Sequence, residues 1–514
     1  MPNTKNEDIF HLIKSLEKSE KRNFKLYMKR VSGSEDFIIM QLFDAIDKAD
    51  TYNEEYILKK NKNIKKQQLS NLKAHLTKQI LASLRILNEE NNISVWVTEQ
   101  IHNAHIYYNK GLYIQSLKVL NKAKSVAQNY NLIFNTIQIL NFEKKIESLH
   151  ITRSMEDRAE KLANEVNTTN SHILRQGQLS NLSLNMYGWY IKNGHARNKQ
   201  DEASLKAYFN QHLKVASDEK LNFYEKLFYY QAHSWYYFIL QNLGMFYRYT
   251  QKWFNLFQDE PQMQIAEPDH YLRAFHNLLN AHFDTNNYKK YTEVLNAFEN
   301  FADSATVQSN INLKVKSFVY LYIAKINKHF LEGTFSEGLQ LVPEINKRLH
   351  RYKLHIDNHR ILVFYYKIAC LYFGSGDNEN AIEYLNKIIN NNSDLRTDIQ
   401  CYTRLLHLIA HYELNNFDLI QYLLKSVYRF MANMNNLSIV EEHIFEFIKK
   451  SFSISRKNII PAFRELKEKL SGLETNSLDT RSFMYLDIIS WLDSKIKKVP
   501  VENIIREKHL KKTA

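Results

Sequence analysis

Histidine is the residue type that invites chemistry in this chain, with 20 copies in 514 residues. His407 and His411 lie four apart with Glu413 close behind. On a helix those positions share one face, so two imidazoles there have the spacing to hold a transition metal. His355, Asp357 and His359 form a second cluster, which fits no ligand motif and reads as a solvated turn. Cys370 and Cys401 fall in predicted helices, without the paired spacing of a zinc site or a disulfide framework. There is no phosphate loop, no dinucleotide fingerprint, no Gly-x-Ser-x-Gly and no His-Glu-x-x-His. Glu441 and Glu442 are adjacent, so on a helix they diverge. No catalytic residue, metal or cofactor is assigned, and an enzyme is not expected.

The elements that carry these residues are expected to be helices. Eleven Gly and six Pro leave too few turn residues for a β-rich fold of this length, whereas long helices need few. A hydrophobic content of 44% supports a substantial core. Met1 to Asp8 is polar, with no apolar run behind it, so no signal peptide is expected. The longest uncharged stretch, Leu227 to Tyr247, is interrupted by Gln231, His233, Ser234, Gln241 and Asn242. It reads as a buried helix rather than a membrane span. A cytoplasmic location is expected. The formal charge of +14 permits an acidic or nucleic-acid partner without requiring one.

The clearest unit runs from Leu362 to Ser393. Ile361 to Phe373 is apolar at helical spacing; a Gly-Ser-Gly-Asp turn follows; then Ala381, Leu385 and Ile388 mark one face of a second helix. With Leu362 as position 1, Tyr365, Ile368, Ala369, Tyr372, Gly376, Ala381, Leu385 and Ile388 occupy positions 4, 7, 8, 11, 15, 20, 24 and 27. On those residues the stretch resembles a tetratricopeptide repeat, a helix-turn-helix unit of about 34 residues. Gly111, Ser116, Leu120 and Ala123 repeat the pattern, with Ala104 and Tyr107 in positions 8 and 11. Weaker units have turns near Ser154, near Ala196, at Asn242, Asn286, Gly333, Gly376 and Asn415, so the period is about 43 rather than 34. Position 11 is filled in turn by Tyr107, His150, Phe238, His282, His329, Tyr372 and His411. This supplies a packing role for the histidines that needs no metal.

The resemblance implies an all-α superhelix of about eight helix pairs, and that positions 2, 5 and 9 of each first helix line a concave groove. Those positions hold Tyr229, Ala232 and Tyr236; Arg273, His276 and Asn280; Tyr320, Ile323 and Asn327; Val363, Tyr366 and Cys370. Tyr229, Tyr236, Arg273, His276, Asn280, Tyr320, Asn327 and Tyr366 are the candidate partner-binding residues, with the amides suited to gripping a peptide backbone. The alternative, that the tyrosines complete the superhelix core, stays open. The lysine and arginine pattern of the family's carboxylate clamp is not reproduced.

Residues 1–92 do not fit the repeat and read as a helical head, residues 93–436 as the solenoid and 437–514 as capping helices. In the head, Ser34 is a candidate cap, and Lys59, Lys60, Lys62, Lys65 and Lys66 form a basic run. In the tail, the helix with Phe483, Leu486, Ile489 and Leu492 suits a closing cap, before a basic tail. The expected function is a protein- or peptide-binding scaffold. The alternative is a regulator whose head touches nucleic acid while the repeats sense a peptide. The head carries 17 Lys and Arg against 13 Asp and Glu, too small an excess to favour nucleic acid.

Overall fold

The structure is a computed structural model that describes residues 8–31, 36–61, 63–88, 92–150, 157–196, 198–214, 220–391, 397–434, 439–454, 458–473 and 487–513. Ser34, Lys62, the turn near Ser154, Phe483 and Leu486 lie outside the described residues. Among those described there is no strand, and helices pack against their neighbours in series, as expected for an α-α superhelix. Contacts divide the chain into two units, Met1–Val166 and Asn167–Ala514.

The first unit holds α1 (Asp8–Ser15), α2 (Lys18–Val31), α3 (Asp36–Lys48), α4 (Glu54–Lys60), α5 (Leu69–Asn88), α6 (Ile93–Asn109), α7 (Tyr113–Asn129) and α8 (Ile133–Leu149). Its head has its own core, in which Ile9, Ile13, Phe24, Met28, Ile39, Leu42, Phe43, Ile46, Leu76 and Ile80 are buried. A second core joins α6, α7 and α8 through Val97, Ile101, Leu117, Leu120, Ala123 and Ile139. Here the small residues of the repeat show their purpose. The Ser116 hydroxyl donates to the Ala104 carbonyl at 2.8 Å, a contact possible only because both side chains are short. The buried Glu143 is held by Lys124 at 2.8 Å and Arg158 at 3.3 Å, which compensates its desolvation.

The unit boundary falls within α9 (Arg158–Asn193). There follow α10 (Lys199–His212), α11 (Phe223–Ile239), α12 (Leu243–Asp259), α13 (Gln262–Ala266), α14 (Pro268–Asp284), α15 (Tyr288–Ala302), α16 (Ala305–Gln308), α17 (Ile311–Glu332), α18 (Phe335–Gly338), α19 (Val342–Arg351), α20 (Asn358–Ser375), α21 (Asn378–Ile389), α22 (Thr397–Glu413) and α23 (Phe417–Asn433). The last helices are α24 (Ile439–Ser451), α25 (Ile459–Ser471), α26 (Ile488–Lys497) and α27 (Val501–Thr513).

One turn recurs between the paired helices. Gln241, Asn286, Gly333, Gly376 and Asn415 have positive φ, as Gly111 does in the first unit. After each, the next amide returns to a carbonyl five residues back: Asn242 to Tyr237, Asn287 to His282, Thr334 to His329, Asp377 to Tyr372 and Asn416 to His411, at 2.8–3.1 Å. This left-handed closure satisfies helix-end carbonyls, and Gly or Asn adopts it at least cost. The residue after it then starts the second helix. Asn242, Asn287 and Asp377 each accept an amide hydrogen bond there.

The segment read as a basic tail is instead a docked helix. The α27 backbone crosses Gly333 so closely that a Cβ there would stand 2.4 Å from the Arg506 nitrogen. Ser336 donates to the Glu502 carboxylate at 2.6 Å, and His509 meets Tyr288 edge-on at 4.5 Å between ring centres. α26 anchors the strap on α22, where Trp491 Nε1 donates to Glu413 at 2.7 Å and Lys495 pairs with the same carboxylate. At Gly376, by contrast, a Cβ would meet nothing within 4 Å. Gly376→Ala should therefore cost only its left-handed strain, about 1 kcal/mol. Gly333→Ala should cost that plus the displacement of α27, a further 1–3 kcal/mol or so. Urea unfolding of the two variants checks this, and equal losses would mean that α27 does not dock at Gly333.

Candidate functional site

Consecutive first helices of the second unit are joined by a row of polar and aromatic side chains, at the positions expected to face inward. Ser183 on α9 donates to Gln231 on α11 at 3.3 Å, and Gln231 Nε2 lies 3.1 Å from His270 Nδ1 on α14. Lys316 on α17 pairs with Asp269 on α14 at 2.8 Å. His276 stacks on Tyr320 with ring centres 4.3 Å apart, and Asn280 Nδ2 meets His276 Nε2 at 3.2 Å. Further along, the Lys367 ammonium on α20 donates to Asn327 on α17 at 2.6 Å and lies over the rings of Phe283 and Phe330. Tyr366 and Cys370 are hydrogen-bonded neighbours on α20.

The candidates are thus brought together only in part. Arg273, His276, Asn280, Tyr320, Asn327 and Tyr366 share the row, and the last three are 8%, 3% and 7% exposed. Tyr229 and Tyr236 do not. Tyr229 packs on His233 with ring centres 4.1 Å apart, and Tyr236 stacks on Phe209 of α10 at 4.0 Å. The reason is register. The left-handed residue of this pair is Gln241 rather than Asn242, so the equivalent positions shift by one to Phe228, Gln231 and Trp235. Asn242 looked like the turn because Asn favours that conformation; it serves instead as the cap of α12. Asn287 and Asp377 likewise cap immediately after their turns.

At the end of α9 a Cβ on Gly194 would lie 3.8 Å from that of Asp398 on α22. Burial along the row shifts its titrating groups. Burial first, then the nearby charges, holds His270 down to about 4 and His276 to about 3. Burial pushes Asp284 up to about 7 against the pull of Lys367, and Cys370 up to about 12.

Two of the histidines of position 11 do what their place at the turn demands. His329 Nδ1 reaches Thr334 Oγ1 at 2.8 Å, and His411 Nδ1 reaches Asn416 at 3.0 Å, each the residue just past the turn. The other two differ: His150 stacks on Tyr113 with ring centres 3.8 Å apart, and at His282 Asn287 commits its side chain to the Lys290 amide, so that the His282 ring, 1% exposed, has neither nitrogen hydrogen-bonded. His407 packs edge-on against His411 at 4.5 Å, while Glu413 turns away to Trp491 and Lys495. Among the described residues no group of three His, Cys, Asp or Glu is placed to hold a metal. His355, Asp357 and His359 straddle the start of α20, where Asp357 caps the Arg360 amide.

Paired helices with a left-handed turn and small facing residues, stacked in series, define a tetratricopeptide-like helical-repeat fold. The tetratricopeptide repeat family model matches residues 362–394, the α20–α21 pair. No curated protein matches the sequence. Among the described residues no helix is long and apolar enough to cross a membrane.

The buried imidazoles fix a pH dependence. Burial, then His411 and Arg404, lowers His407 from its ordinary 6.5 to about 4. Below pH 6.5 the unfolded chain takes up a proton that the folded chain refuses, so stability falls as pH drops towards 4. Asp284, raised in the fold, acts in the opposite sense, gaining stability as pH falls from about 7. His407→Phe removes the first effect and leaves the second. Between pH 7 and 5 the variant should lose about 2 kcal/mol less than the parent in urea unfolding. An unchanged pH dependence would show that His407 titrates in the fold as it does in water.

Proposed function

We propose that the protein is a non-enzymatic scaffold that binds a protein or peptide segment along the inner face of its second unit. The observation that carries this is the row itself. Successive first helices present polar and aromatic groups in one line, and Arg273, His276 and Asn280 keep part of their surface accessible. A stacked array presents such a surface ready-formed, so little ordering cost opposes binding. An extended segment would find amides for its backbone and aromatic walls for its side chains. The test uses His276→Ala with Asn280→Ala, since these two bond each other and removing both leaves no orphaned partner. A partner captured by the parent protein should be lost by the double variant at unchanged melting temperature. Equal capture would place the binding surface elsewhere.

The nucleic-acid reading has less support. Lys59, Lys65 and Lys66 are exposed, but Lys73, a few residues further along the chain, is committed to Glu54 at 2.6 Å. Duplex DNA should bind weakly, without sequence preference. Lys65→Glu with Lys66→Glu should then change the log–log salt slope by no more than about 2, at about 0.9 per phosphate contact. Sequence-selective binding in a mobility-shift assay, abolished by that pair, would replace the scaffold with a regulator.

A further inference from the structure

The row holds two guanidiniums, those of Arg273 and Arg360, of which one is paired with a carboxylate. The Arg273 guanidinium lies over the rings of Tyr187 and Trp253, 5.7 and 6.0 Å from their centres. Among the described residues that guanidinium makes no hydrogen bond or ion pair, and the residue keeps part of its surface accessible. Arg360 lies over Tyr320 at 6.0 Å and pairs with Asp357, whose side chain is half exposed at the rim. Burial works against the Arg360 charge, but Tyr320, Asp357 and Tyr187 more than offset it and hold its pKa above the ordinary value. Tyr187 is thus shared: its face lies under one guanidinium and its hydroxyl is within electrostatic reach of the other. The charges of Arg360, Lys367 and Arg273 all press on the His276 ring. Of the other carboxylates along the row, Asp269 is engaged by Lys316 and Glu267 by the Tyr224 hydroxyl at 2.6 Å, while Asp284 lies in the field of Lys367 and Asp398 in that of Tyr366.

We propose that Arg273 and Arg360, walled by Tyr187 and Tyr320, form a subsite for a phosphoryl group carried by a side chain of the bound peptide. This rests on the inner face being the peptide-binding surface. Arginine forks match the oxygens of a phosphoryl group, and aromatic walls orient the guanidinium planes without neutralising them. A phosphoryl group brings nearly two charges and three acceptor oxygens. That answers two guanidiniums of which only one has a carboxylate, and that one at the solvent edge. A single carboxylate brings one charge and two acceptor oxygens to the two forks.

The probe is inorganic phosphate, titrated into the full-length protein at low ionic strength and followed by phosphorus NMR. Saturable binding is expected, weakened about tenfold or more in Arg273→Met and in Arg360→Met. Acetate at equal concentration should not displace it. Arg273→Lys keeps the charge and the packing stem but not the fork, and should weaken binding in the same direction if the methionine variant folds poorly. No saturation, equal displacement by acetate, or variants that bind like the parent would overturn the subsite. So would displacement by a single-stranded oligonucleotide but not by a phosphoserine peptide. Capture experiments separate this inference from the scaffold on which it rests. A partner retained after phosphatase treatment of the lysate overturns the phosphoryl subsite alone. A partner captured equally by the His276→Ala, Asn280→Ala variant overturns the inner-face reading.

Discussion

A single backbone event sets the geometry of every well-formed helix pair: one residue turns left-handed, and the next amide reaches back five residues. The bond fixes where the first helix stops and the second starts, and so fixes which side chains of the first helix face inward. Because the turn consumes one residue, a shift of one in its position rotates the inward set by about 100°. The α11–α12 pair shows how much hangs on this. With Gln241 rather than Asn242 in the left-handed state, Gln231 joins His270 in the row while Tyr229 meets Tyr249 of α12 and Tyr236 stacks on Phe209 of α10.

The same turn explains a histidine preference that otherwise suggests metal binding. The position five before the cap lies beside it, and an imidazole is long enough to reach a cap hydroxyl or amide, as His329 and His411 do. Two uses of the cap side chain compete: it can bond the second helix's amide or the histidine. Where Asn287 does the former, His282 is left buried, neutral and unbonded. The polar groups of the row sit on neighbouring first helices at bonding distance and so satisfy one another, as Ser183, Gln231 and His270 do.

Much of this is legible in the residues alone. Small residues at positions 8 and 20, apolar spacing and scarce Gly and Pro indicate paired helices, and four of the expected turns, Asn286, Gly333, Gly376 and Asn415, are the left-handed residues themselves. What escaped was register where glutamine takes a conformation usually left to Gly or Asn, since composition carries no sign of it. The approach of Gly194 to Asp398 also escaped. It depends on how helix pairs stack over long sequence separations, whereas periodicity reports only on neighbours. The lysine-rich α27 looked like a solvated tail because the contacts that dock it are made largely by backbone, at Gly333, and by Glu502 and His509.

That docking changes the kind of object the repeat array is. A stack in which each pair touches only its neighbours unravels piecemeal, one pair at a time from whichever end is weaker. The α26–α27 strap ties Glu413, Ser336 and Tyr288 to residues far along the chain, so pairs that are distant in sequence share one fastening. Under tension, peeling cannot pass the strapped pairs without first releasing it, and an otherwise gradual force response becomes a single rupture. In folding, the edge of the α17–α18 pair stays uncovered until the chain beyond residue 500 arrives. The central repeats are therefore finished by sequence that is not their own.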